Sequence, residues 1–207
     1  RIDIEAIASP IRRMLEIDIA KKLTESSDII VLDGDLKATV TGEKEQLDEL
    51  YKEAEKNKVT IAAVAKTNDL FTETGNAAIP IIRNLEPKNR AWIYHPLAEI
   101  RNEHHKADMA IIKAHQNAKH CFKIERQNQS SHSWSELASV MQQQSKDSVF
   151  LGYPYGLIEA DRAARVTNKE RDYYKAIILT KLGKEQEHME QFLATKNAHN
   201  ILDSIQF

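Results

Sequence analysis

Seven side chains in this sequence are of a type and placement suited to breaking a phosphate ester: Asp33, Glu16 and Asp161 as oxygen donors to a divalent ion, Tyr153 as a hydroxyl, and Lys66, Arg162 and Arg165 as cations for phosphate. Asp33 closes the aliphatic run Ile29-Ile30-Val31-Leu32. A carboxylate at the end of a buried strand is held rigidly and can offer both oxygens to magnesium or manganese. Asp33-Gly34 is equally a favoured turn dipeptide, and Asp35 either joins Asp33 on one side of an extended chain or is solvated. Glu16 lies on a helical pattern that leads directly into that strand and could face Asp33 across the sheet edge; glutamate is also among the commonest residues on a solvated helix face. Asp161 falls in the first turns of a helix after the turn Gly152-Tyr153-Pro154-Tyr155-Gly156, where the helix dipole favours negative charge. Arg162 and Arg165 flank it, either to clamp phosphates with their planar forks or to pair with Glu159 and Asp161 on the helix surface. Lys66 ends a second buried run and could contact a phosphate; a solvated strand-end lysine is the alternative.

Other chemistries find less support. Among the eight histidines, His104, His105, His115 and His120 invite a zinc site, but no pair has the helical HExxH arrangement, and a strand-like context puts His115 and His120 on opposite faces. The single cysteine, Cys121, excludes a disulfide within the chain and a cysteine-based zinc site. There is no GxxxxGK[ST] phosphate loop, no GxGxxG and no GxSxG elbow, so nucleotide-powered work and serine hydrolysis are unsupported.

The elements that must position these residues follow from hydrophobic period. Ile4, Ile7, Ile11, Met14 and Leu15 predict a helix to about Leu23 with a buried apolar stripe, Glu16 at its edge. The run ending at Asp33 is a buried strand, Leu47, Leu50, Tyr51 and Ala54 mark a helix, and Val59 to Ala65 a second buried strand. Ala91 to Tyr94, Ala107 to Lys113 and Cys121 to Glu125 read as a meander, then Trp134 to Met141 as a helix. Helices follow over Leu157 to Val166, Lys169 to Leu182 and Glu185 to Ser204. With 207 residues, 42% hydrophobic and 29% charged, the chain is expected to fold as one α/β domain, 1–207, around a mixed sheet flanked by helices. No apolar run approaches the roughly 18–20 residues of a membrane helix, and the cytosol is the simplest address. A net charge of −2 does not advertise nucleic-acid binding, but nucleases that hold metal ions can be acidic overall and grip their substrate through a local basic strip.

Taken together, these residues resemble the NurA family of prokaryotic DNA-repair nucleases. The resemblance rests on Ile29-Ile30-Val31-Leu32-Asp33-Gly34-Asp35-Leu36, Val64-Ala65-Lys66-Thr67, the stretch from Gly152 to Arg162, and a late Ala198-His199, in that order and spacing. It implies a ribonuclease H-like fold, a manganese-dependent nuclease (with magnesium as the substitute) acting on DNA ends in double-strand-break repair, a homodimer, and a hexameric HerA-type DNA-translocating ATPase as partner. Position by position, it makes Glu16 the helix glutamate, Asp33 the aspartate of the Asp-Gly motif and Tyr153 the first tyrosine of the YPY turn. Asp161 stands where many relatives place a histidine, and an aspartate serves equally as an oxygen ligand. Such a site would hold two divalent ions roughly 3.5–4 Å apart, one activating water and one stabilising the leaving oxygen.

The family also carries a further Asp-Gly strand end upstream of the first helix, and none precedes Arg1, so the expectation is that an N-terminal segment completes the site. Two rival readings stand beside this one: a catalytically inactive DNA-binding or partner-docking module of the same fold, and an α/β hydrolase whose Asp33 and Asp161 bind metal for a small phosphorylated substrate in a closed pocket.

Overall fold

A computed structural model of the protein describes residues 4–40, 42–66, 70–98 and 105–182, with side chains from residue 8. The expected helix over Glu185 to Ser204, His104, Thr67 and the Ala198-His199 pair lie outside the described residues. The chain divides into two compact units, the first running to Ala160 and the second beginning at Asp161.

In the first unit, β1 (Ile29–Asp33), α2 (Glu43–Asn57) and β2 (Thr60–Ala65) form a β-α-β unit whose strands pair in parallel, following α1 (Ile4–Leu23). Parallel neighbours need a crossover of this kind, and both strands read as unbroken apolar runs because they are covered on both faces. All six residues of β2 are buried. After α3 (Ala78–Asn84) come β3 (Trp92–Tyr94), β4 (Ala107–Lys113) and β5 (Phe122–Gln127), the expected meander. The five strands lie in the order β1-β2-β5-β4-β3, with every pair beyond β1 and β2 antiparallel.

Two cores follow from strand alternation. Ile30, Leu32, Ile61 and Ala63 pack on one face against Ile17 and Ala20 of α1 and Leu47, Leu50 and Ala54 of α2. Ala62, Val64, Ala110, Ile112, Phe122 and Ile124 pack on the other against Leu137 and Met141 of α4 (Trp134–Gln144), with Tyr153 and Leu157. Burying each such Leu or Ile side chain stabilises the fold by about 1.5–3 kcal/mol. Ser133 starts α4 with a capping box, its hydroxyl accepting from the Glu136 N–H while the Glu136 carboxylate accepts from the Ser133 N–H.

The face that α1 buries differs from the expected stripe. Ile17 and Ala20 point into the core, while Ile11, Leu15, Ile19 and Leu23 stand 44–59% exposed at intervals of four residues. α1 carries two apolar faces, and period alone does not say which one meets the sheet. No helix among the described residues is long and apolar enough to cross a membrane.

The second unit takes up the end of α5 (Tyr155–Ala164) and α6 (Asn168–Leu182), whose residues are not buried.

Candidate functional site

The parallel pairing of β1 and β2 sets Asp33 beside Val64, so the two strands end in step. Asp33 points to the α4 face and Lys66 follows one residue after β2. The Lys66 ammonium donates to Asp33 Oδ2 at 2.7 Å, and the Tyr153 hydroxyl donates to Asp33 Oδ1 at 3.3 Å. Lys66 Nζ also lies 5.4 Å from the centroid of the Tyr153 ring. Three of the expected site residues, far apart in sequence, therefore meet at one strand end. Asp33 and Lys66 are partly open to solvent, while Tyr153 is only 4% exposed, so its hydroxyl is delivered from a fixed ring.

Gly34 and Gly152 make this meeting possible. Gly34, at φ +129, turns the chain after Asp33 while its N–H extends the ladder to the Val64 carbonyl at 3.0 Å. Gly152, at φ +94, lies against the β4–β5 loop, and a Cβ there would collide with the Ala118 methyl. The loop between α4 and α5 can seat Tyr153 over Asp33 only by that close approach.

Glu16 takes a different place. It receives a hydrogen bond from Arg13 Nη1 at 3.0 Å, and Arg13 also donates to Glu43 Oε1 at 2.9 Å and to the Asp35 carbonyl at 2.6 Å. Arg13 thus ties α1, the start of α2 and the loop after Asp33 together, with Glu16 joined to that loop through Arg13 instead of facing Asp33. Burial weakens the Arg13 cation, but Glu43 and Glu16 outweigh it and raise its pKa above the usual value. Burial likewise disfavours the Glu43 carboxylate, yet the Thr39 N–H, Arg13 and the Val40 N–H together hold its pKa below the ordinary range.

Beneath the same loop is a buried polar cluster. Glu125, fully buried on the central strand, accepts the Leu36 N–H at 2.6 Å and meets His105 Nε2 at 3.0 Å and Lys123 Nζ at 2.7 Å. Lys123 also reaches Asp35 at 3.8 Å. Burial raises the Glu125 pKa, but His105, Lys123 and the Leu36 N–H reverse that and leave it lowered. Sequence reasoning missed Arg13, Glu43, Lys123 and Glu125; the signal for the last two was the polar alternation Lys123, Glu125, Gln127 on a strand that sits mid-sheet.

Asp161, Arg162 and Arg165 are in the second unit. Asp161 on α5 and Arg165, one residue past its end, bond each other at 2.7 and 3.0 Å, both exposed. Arg162 is exposed on the same helix. His115 and His120, expected on opposite faces of a strand, both lie in the loop between β4 and β5.

Among the described residues, no group of three or more His, Cys, Asp or Glu side chains is placed to hold a metal ion. Asp33 offers a rigid carboxylate, but Lys66 and Tyr153 engage its two oxygens and Arg13 engages Glu16. The described residues of the first unit do not by themselves make a divalent-ion site.

No protein-family model matches the sequence, and no curated protein matches it. Among solved structures, the fold is similar to the crystal structure of the NurA nuclease from Sulfolobus solfataricus, with a TM-score of 0.57 at 15% identity, covering 87% of this chain and 69% of that one. At that identity the likeness is one of fold: a mixed sheet flanked by helices, shared with a nuclease.

Proposed function

We propose that this chain is the core of a metal-dependent DNA nuclease that processes DNA ends in double-strand-break repair, with the ribonuclease H-like relationship, the homodimer and the HerA-type partner ATPase as parts of the same reading. The observation that carries it is the convergence of Lys66 and Tyr153 on Asp33 at the common end of β1 and β2, in a chain with the fold of a nuclease. At that point Lys66 can hold a non-bridging phosphate oxygen, and the Tyr153 hydroxyl fixes the Asp33 carboxylate or orients the phosphate. A manganese or magnesium ion, when bound, would supply an activated water and charge stabilisation for the leaving oxygen. It would need donors beyond Asp33, and the described residues do not place them beside it. The exposed stripe Ile11, Leu15, Ile19 and Leu23 supports the homodimer, since a second copy would remove it from water.

The Asp33–Lys66 ion pair favours one second reading, a DNA-binding module of the same fold that does not cut, because a lysine engages the carboxylate a metal would use.

The deciding experiment is digestion of end-labelled linear DNA with manganese, by the protein and by its Asp33→Ala variant. Cleavage that Asp33→Ala abolishes supports the nuclease. Cleavage that survives Asp33→Ala removes Asp33 from the site. DNA binding with no cleavage by either, even with the ATPase present, establishes the binding module.

A further inference from the structure

The strand registers place more than Asp33 at one end of the sheet. Ala65 stands opposite Lys123, Phe122 opposite Ile112, and Lys113 opposite Trp92. The C-terminal ends of β1, β2 and β4 and the N-terminal ends of β5 and β3 therefore share one edge of the molecule. With neighbouring strands about 4.8 Å apart, that edge runs roughly 19 Å from Asp33 on β1 to the start of β3.

At its far end is an open cavity of about 370 Å³ lined by Arg90, His115 and Lys146 with the amides of Asn89, Gln116 and Gln142. No carboxylate lines it. Such a set, two cations, a histidine and neutral amide donors without an anion, fits a phosphate group. The Asn117 N–H donates to His115 Nδ1 at 3.2 Å, which leaves Nε2–H as the donor of the neutral ring.

Between this cavity and Asp33 lies an aromatic cluster. Phe150 packs edge-on to Tyr153 at 5.7 Å between centroids and stacks with His120 at 6.1 Å, while Phe122 touches both Phe150 and Tyr153. Phe150 is nevertheless 44% exposed, so much of a side chain anchored by three other rings is left to solvent. The order along the chain, Lys146, Phe150, Tyr153, repeats the order in space: cation cavity, exposed ring, acidic strand end. A charged cavity and an aromatic platform in line with a strand-end carboxylate are the parts by which single-stranded nucleic acid is held without sequence preference.

We infer that this sheet end is a track for one DNA strand, in which a base stacks on Phe150 and a phosphate a few nucleotides from Asp33 is held by Arg90, Lys146 and His115. The inference rests on the nuclease reading for its substrate, and it locates where the uncut part of the strand lies.

The test is equilibrium binding of labelled single-stranded DNA, with EDTA present to stop cleavage, across a series of salt concentrations. The probes are a long oligonucleotide and a dinucleotide. Arg90→Ala with Lys146→Ala should weaken binding of the long oligonucleotide about tenfold at low salt and flatten the dependence of log affinity on log salt by roughly 0.7 for the phosphate released. Phe150→Ala should weaken the same probe about tenfold with the slope unchanged, because stacking releases no counterion. The dinucleotide, too short to span the edge, should bind all variants alike, and Arg90→Lys with Lys146→Arg should restore the slope. If the unaltered protein binds and cuts DNA while the alanine variants match its affinity and slope, the track is wrong and the nuclease reading stands. If the unaltered protein cuts DNA in a separate manganese assay but does not bind the long oligonucleotide, the track falls and the nuclease reading stands; if it neither binds nor cuts, both fall.

Discussion

Lys66 Nζ lies 2.7 Å from Asp33 Oδ2, and it arrives there because two parallel strands, joined through a helix, end in step. The pair is partly open to water, with the side chains of Lys66 and Asp33 54% and 36% exposed, so its contribution to folding is about 0–1 kcal/mol. Activity and stability should therefore separate. Asp33→Asn is expected to change the free energy of unfolding by no more than about 1 kcal/mol and, on the nuclease function proposed above, to lower cleavage with manganese by at least about a hundredfold. Urea unfolding followed by circular dichroism, beside a single-turnover cleavage assay, reads the two effects; an unfolded Asp33→Asn variant would show that the residue is structural.

Arg13 presents the opposite case. Its partner Glu43 is 1% exposed, and removing the guanidinium leaves a buried carboxylate without its cation. Arg13→Ala should cost about 3–5 kcal/mol, the usual range for breaking one side of a buried pair. The Thr39 and Val40 N–H groups that also serve Glu43 favour the lower end of that range. Arg13→Lys keeps the charge but cannot span Glu16, Glu43 and the Asp35 carbonyl at once, so it should recover only part of the loss in a urea titration.

What the sequence discloses here and what it hides have physical reasons. β1, β2 and the β3–β5 meander were legible because each run is short and bounded by polar turns, with β2 buried on both faces and β1 alternating between buried and half-buried positions. α3 was not: Ala77 caps it without a side-chain hydrogen bond, and Pro80 argues against a helix unless it falls in the first turn, where its missing N–H costs nothing. Glu125 was hidden for a different reason. Alternating polar residues on a strand normally mark the solvent face, but β5 sits between β2 and β4, with α1 and α2 packed on that face of the sheet, so the polar row had to be satisfied from within. The meeting of Tyr153 with Asp33 spans 120 positions, and no local pattern encodes so distant a contact. The resemblance to a nuclease family grouped these residues as one site, and the contact itself had to come from the fold.

Acid should weaken the protein through Glu43 and Glu125. Both carboxyls titrate below their ordinary range when folded, despite burial, because of hydrogen bonds and cations: Thr39 and Arg13 for Glu43, His105 and Lys123 for Glu125. The unfolded chain, with carboxyls near ~4.3, binds protons first as the pH drops. Their stabilisation is thus complete above that value and is lost as the pH falls through the depressed folded values. Glu43→Gln should be less stable than the unaltered protein at neutral pH, and the gap between their urea midpoints should narrow steadily below about pH 4.3. A gap that stays constant down the pH series would show that the Glu43 charge contributes nothing to folding.

Gly152 connects the backbone to the chemistry most directly. Its φ of +94 is a conformation that side chains with a Cβ rarely adopt, and the Ala118 methyl occupies the space where that atom would go. Strain and overpacking should each contribute, so Gly152→Ala is expected to destabilise by about 2–4 kcal/mol. Because the next residue is Tyr153, relief of the clash must shift the ring that holds Asp33 and packs on Phe122. Cleavage by the folded fraction should then fall further than in Tyr153→Phe, which loses only a neutral-donor hydrogen bond and should be reduced by about two- to tenfold. Ala118→Gly removes the colliding methyl and should restore part of the stability of Gly152→Ala without relieving its φ. Measuring the four variants together separates the two causes: full rescue by Ala118→Gly would assign the cost to the collision, and no rescue would assign it to the backbone.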